Sequence, residues 1–114
     1  MKHKPQSIAV NKTLARLGRD ISIARRKRRM SLSDLASRMR MSDGTVRRLE
    51  KGDPGVSIQA LAMALLAFGE IRRLHDLLDV ASDDTGLVMD IEALPKRIRR
   101  SSANKSRTAV KRTP

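Results

Sequence analysis

The chain has 114 residues, with 25 Lys+Arg against 12 Asp+Glu, a formal net charge of +13, no Cys, no Trp, no Tyr and one Phe. The lack of Cys excludes a disulfide framework and a cysteine nucleophile or metal ligand, no apolar run approaches the roughly 20 residues that span a bilayer, and His3 and His75 stand in unrelated contexts, so neither an enzyme nor a cofactor site is expected. The charge points to a polyanion without specifying a fold, and a basic start with no secretory apolar stretch predicts a cytoplasmic location.

Residues 1–10 read as a flexible basic arm, and residues 1–19 carry five bases and no acid. Leu14, Leu17, Ile21 and Ala24 recur at helical spacing, which predicts a first helix over about 11–29, slightly weakened by Gly18. Residues 20–52 hold ten bases and four acids. Within them Ser31 is placed to cap a short helix over 32–39, with Asp34 near the positive end of its dipole and Leu35, Ala36 and Met39 facing inward. Ser42-Asp43 opens a third helix running to about Lys51, with Val46 and Leu49 as its inner edge. Gly52-Asp53-Pro54-Gly55 stops it.

Ser57 is placed to cap a fourth helix, and Ile58, Leu61, Ala62, Leu65 and Leu66 give it a wide apolar face suited to the core centre. Gly69 separates it from a fifth helix over 70–79, lined by Ile71, Leu74 and Leu78. The prediction is a compact all-α domain of five short helices over residues 11–81, small but feasible. Residues 53–95 reverse the balance, with eight acids against two bases. Residues 82–94 fit either a helix or an alternating strand, with a lean to a helix ending before Pro95, and 82–95 is the expected dimer or partner contact. Residues 96–114 hold eight bases, no acid and too little apolar area to offset ordering entropy, which predicts a disordered basic tail.

The segment 31–52 carries the specific signal. Two short helices joined by a tight turn, the second bearing outward bases, describe a helix-turn-helix. A major groove admits one α-helix, and its N-terminal residues must be small to approach base edges, as Ser42, Gly44 and Thr45 are. The run Arg25-Arg26-Lys27-Arg28-Arg29 reads either as a solvated helix end or, beside such a unit, as a source of phosphate contacts from Arg26 and Arg28.

Over residues 14–79 the sequence resembles the lambda-repressor/Cro-like helix-turn-helix family, through Leu35-Ala36, Met41-Ser42 and the ending Val46-x-x-Leu49-Glu50-x-Gly52. The resemblance implies a structural ion pair between Arg25 and Glu50. It implies base-edge positions at Asp43, Gly44 and Arg48, with Arg48 matching guanine, whereas Asp43 reads equally as a cytosine acceptor or a helix cap. Thr45, Arg47 and Lys51 fall at phosphate positions, and Ser31 and Ser42 combine capping with phosphate contact. Leu32 stands where the family has Gln, and Arg40 where it has the turn glycine; at about 1 kcal/mol for a left-handed residue, Arg40 predicts an altered turn. Through the segment 84–99, the chain over about residues 12–99 resembles the short regulators that accompany HipA-like kinase toxins, which implies a bacterial homodimer that binds an operator, represses its own operon and holds the kinase. The alternatives are a phage- or plasmid-type repressor with no toxin, and an interaction module that mainly sequesters a toxin. An RNA-binding role fits the charge but lacks aromatic stacking platforms.

Overall fold

The computed structural model describes residues 7–80 and 91–100. These residues are all-helical, with no strand: α1 Ile8–Lys27, α2 Leu32–Met39, α3 Asp43–Glu50, α4 Ile58–Ala67 and α5 Ile71–His75, with a 3-10 turn at Ile91–Ala93. The chain divides into one compact unit over Met1–Leu77 and a second over Leu78–Pro114. Among the described residues no helix is long and apolar enough to cross a membrane.

Serine opens four of the five helices. Ser7, Ser31, Ser42 and Ser57 each accept the backbone N–H three residues on, satisfying a donor that a helix start leaves unpaired. Ser7 corrects the expected arm: α1 begins at Ile8, so residues 8–10 are helical. Ile8 and Val10 are exposed, so the core stripe carried no sign of this extra turn. Residues 1–6 of the arm lie outside the described residues.

The core of the first unit joins Ile21, Met30, Leu35, Ala36, Met39, Val46, Leu49, Ala60, Ala64 and Phe68, with Leu17, Ala24 and Met41 packed against it. α4 differs from expectation. Its fully buried positions are Ala60 and Ala64; Leu61 packs half-buried against the core as expected, whereas Ile58 is 79% and Leu66 54% exposed. A helix with no charged residue gives no polar face to mark the outside, and small residues let it approach α2 closely. α5 ends at His75 rather than 79, and Ile71 and Leu78 are exposed.

α1 crosses α3 at backbone contact. A Cβ on Gly18 would lie 2.5 Å from the Glu50 carbonyl oxygen and 2.7 Å from the Leu49 carbonyl oxygen. Across the same contact Gly52, at φ +75°, faces the Leu14 carbonyl. Gly18 is therefore the residue that lets α1 seat on the end of α3, a gain against its poor helix propensity.

The helix ends after α1, α2, α3 and α4 share one hydrogen-bond pattern. A residue in the left-handed region turns the chain while two N–H groups reach back to the last turn. Gly52 and Gly69 do this after α3 and α4, and Arg29 (φ 58°) and Arg40 (φ 57°) after α1 and α2. The turn at Arg40 is thus not altered by the missing glycine: Arg40 takes the left-handed conformation at about 1 kcal/mol, with Arg40 N–H on Ser37 O at 3.1 Å and Met41 N–H on Ala36 O at 3.0 Å.

In the second unit Leu94 N–H closes the 3-10 turn on Ile91 O, and Ile91, Leu94 and Ile98 are exposed. Of the segment 82–94, residues 82–90 lie outside the described residues, and its described end is neither α-helix nor strand. Residues 96–100 are exposed, and 101–114 of the expected basic tail lie outside the described residues.

Candidate nucleic-acid interface

α2 and α3 are joined by Arg40, Met41 and Ser42. Each helix starts on a serine, and the two starts differ. At α2 Ser31 Oγ accepts Asp34 N–H at 3.0 Å while Asp34 Oδ2 accepts Ser31 N–H at 2.8 Å, a closed capping box. The Ser31 N–H on the carboxylate foremost, and then the Ser31 side chain, hold the Asp34 carboxyl below its ordinary range, with the Arg38 charge adding a smaller pull. At α3 the third helical residue is Thr45, which has no carboxylate to reach back. Ser42 Oγ instead accepts Thr45 N–H at 3.1 Å and pairs with Thr45 Oγ1 at 3.0 Å.

Asp43 is the first residue of α3, not its cap, because Ser42 holds that place. Its Oδ2 accepts the Ser33 hydroxyl at 2.8 Å, tying the start of α3 to α2. Ser33 was not singled out from the sequence. A hydroxyl and a carboxylate ten residues apart carry no local signal.

The outer face of α3 is continuous. Val46 and Leu49 are buried, while Arg47, Arg48 and Lys51 are exposed. Arg48 Nη2 donates to Thr45 Oγ1 at 3.3 Å, so Ser42, Thr45 and Arg48 form a chain of hydroxyls and guanidinium along the first two turns. This lays the guanidinium beside Gly44, where a Cβ would meet Arg48 Nη1 at 3.6 Å and Ser42 Oγ at 3.8 Å. Both are ordinary contacts, so nothing inside the protein requires glycine at residue 44.

Arg25 and Glu50 hold this helix on the scaffold. Arg25 Nε donates to Glu50 Oε2 at 2.7 Å and Nη2 to Oε1 at 3.2 Å, while Nη1 donates to Met30 O at 2.9 Å. The side chains are 14% and 11% exposed. Glu50's hydrogen bond, opposed by desolvation, raises the Arg25 guanidinium above its ordinary range.

The other arginines of the run 25–29 divide. Arg28 lies 4.8 Å over the Phe68 ring and donates to Phe68 O at 3.2 Å and Ala24 O at 3.0 Å. It joins the end of α1 to the end of α4, a packing role the charge pattern did not reveal. Arg26 is exposed, with Nε on Ser22 O at 3.3 Å. His75 is exposed beside Asp76, and no cluster of three metal-ligating side chains occurs among the described residues.

No family model, curated protein or solved structure matches this chain.

Proposed function

We propose that the chain is a sequence-specific double-stranded DNA-binding regulator of the lambda-repressor/Cro-like kind. The observation that carries this reading is the exposed face of α3, where Arg48 lies over Gly44 under the hydroxyl of Thr45. A forked guanidinium beside a residue without a side chain suits a guanine edge in the major groove. Arg47 and Lys51 flank it as phosphate contacts, with Ser31, Ser42 and Arg26 as further donors. Asp43, already accepting a hydrogen bond from Ser33, keeps acceptor capacity for a cytosine amino group. Arg28 is assigned to packing rather than to DNA.

The working form is a homodimer acting as a repressor. The exposed apolar side chains Ile58, Leu66 and Leu77 support a protein contact in addition to the DNA face. Control of its own operon and capture of a HipA-like kinase rest on the sequence resemblance of residues 84–99.

The test is Arg48→Ala, measured against a duplex selected from a randomised pool and against mixed-sequence DNA. Specific binding falls by roughly 1–3 kcal/mol while non-specific binding changes little. Equal losses on both overturn base reading by Arg48. Arg47→Ala weakens both alike and lowers the salt slope by about 1.

A further inference from the structure

The four like helix ends are not built from like residues. After α3 and α4 the left-handed position is Gly52 and Gly69, and after α1 and α2 it is Arg29 and Arg40. Among the described residues these arginines are the only non-glycine positions with positive φ. The left-handed conformation is strained for any residue with a Cβ and free of that strain for glycine.

No side-chain contact of either arginine among the described residues offsets that strain. Both side chains are exposed. Among the described residues neither forms an ion pair or a side-chain hydrogen bond, whereas Arg25 is bound to Glu50, Arg26 to the Ser22 carbonyl and Arg28 to Phe68. The two therefore stand at opposite ends of α2, about 12 Å long at eight residues, as cations in a conformation the fold does not need an arginine to reach. Strain kept where glycine would relieve it points outward, to a ligand.

We infer that Arg29 and Arg40 are phosphodiester contacts that bracket α2 and grip the DNA backbone outside α3. The planar guanidinium fork matches phosphate oxygens, and contacts of this kind position a protein without reading sequence. The inference rests on the duplex-DNA reading above and adds two contacts to it.

The experiment compares the full chain with Arg29→Gly/Arg40→Gly, with Arg29→Lys/Arg40→Lys, and with Arg72→Gln/Arg73→Gln on α5 as a charge-matched control. Thermal unfolding is measured together with the salt dependence of binding to a mixed-sequence duplex. The glycine pair raises Tm by about 5–10 °C and makes the slope of log K against log salt shallower by about 2. Its affinity falls by the same factor on selected and mixed duplexes. The lysine pair keeps the wild-type slope, and so does the α5 control. A glycine pair that keeps the wild-type slope overturns the inference and leaves the α3 reading standing. Equal flattening in the α5 control reduces the effect to net charge and also overturns it, and an unchanged Tm removes the strain on which it rests. A wild-type chain without salt-dependent duplex binding overturns the functional reading itself.

Discussion

Gly18 and Gly44 are both helical glycines, and they occupy opposite kinds of surroundings. Around Gly18 the backbone of α3 leaves no room for a methyl group, whereas around Gly44 a methyl group fits. Both forgo helix propensity. One is explained by how α1 seats on α3, and the other has no explanation within the folded chain. A residue that weakens a helix without serving the fold directs attention to what lies outside, and Gly44 sits beside Arg48 on the exposed face.

The sharpest way to break this contrast is Gly18→Ala. Backbone atoms at 2.5–2.7 Å cannot move aside as a flexible side chain would. The substitution costs about 3 kcal/mol, at the upper end of overpacking effects, read as a lower urea midpoint. A loss under about 1 kcal/mol would show that the α1–α3 crossing is loose and that Gly18 needs no more explanation than Gly44.

Arg25→Ala tests the other tie at the same crossing. It strands Glu50, 11% exposed, without its partner. Removing one member of a fully buried pair costs about 3–5 kcal/mol; the residual exposure lowers the expectation to about 2 kcal/mol. The double variant Arg25→Met/Glu50→Leu recovers part of it, because no unpaired charge is left. Calorimetric unfolding of the three proteins checks the order.

Gly44→Ala carries the contrast to function. Alanine in an unstrained helical position stabilises by about 0.5–1 kcal/mol, so Tm rises, while binding to the selected duplex weakens at least tenfold if the methyl group occupies the base-edge approach. Higher stability with unchanged binding would leave Gly44 without a role in DNA contact.

The two regions were unequally legible in the sequence. The starts of α2 and α3 follow from Ser31 and Ser42 and from the inward apolar residues of each helix, three on α2 and two on α3, because capping and burial there are local. Gly18 looked like a flaw in a helix, since the backbone it meets lies more than 30 residues along the chain. The Arg25–Glu50 pair has no local signal either, and only a family pattern pointed to it. On α4 hydropathy selected Ile58 and Leu66, which are exposed, beside Leu61, which packs on the core, while the fully buried positions are Ala60 and Ala64. At the candidate site residue types were readable but their internal commitments were not: Asp43 is bonded to Ser33, and Arg28 is stacked on Phe68.

The smallest effect concerns the helix start that closes on itself. Asp34 seals the α2 capping box, whereas α3 leaves the equivalent place to Thr45, whose hydroxyl faces Arg48. The Asp34 carboxyl is lowered in the folded chain relative to about 3.9 when unfolded. Stability from this box is therefore complete above that value and is lost as pH falls through the folded value. An asparagine side chain keeps an acceptor oxygen and removes the charge, so Asp34→Asn flattens this part of the acid limb without opening the helix. Urea midpoints of wild type and variant, compared between about pH 6 and pH 2.5, read the difference: the gap between the two proteins narrows as the pH drops. A constant gap would place the box's contribution in hydrogen-bond geometry alone. The start of α2 would then resemble that of α3, where Ser42 caps without any carboxylate, and the charge of Asp34 would add nothing to what separates the two.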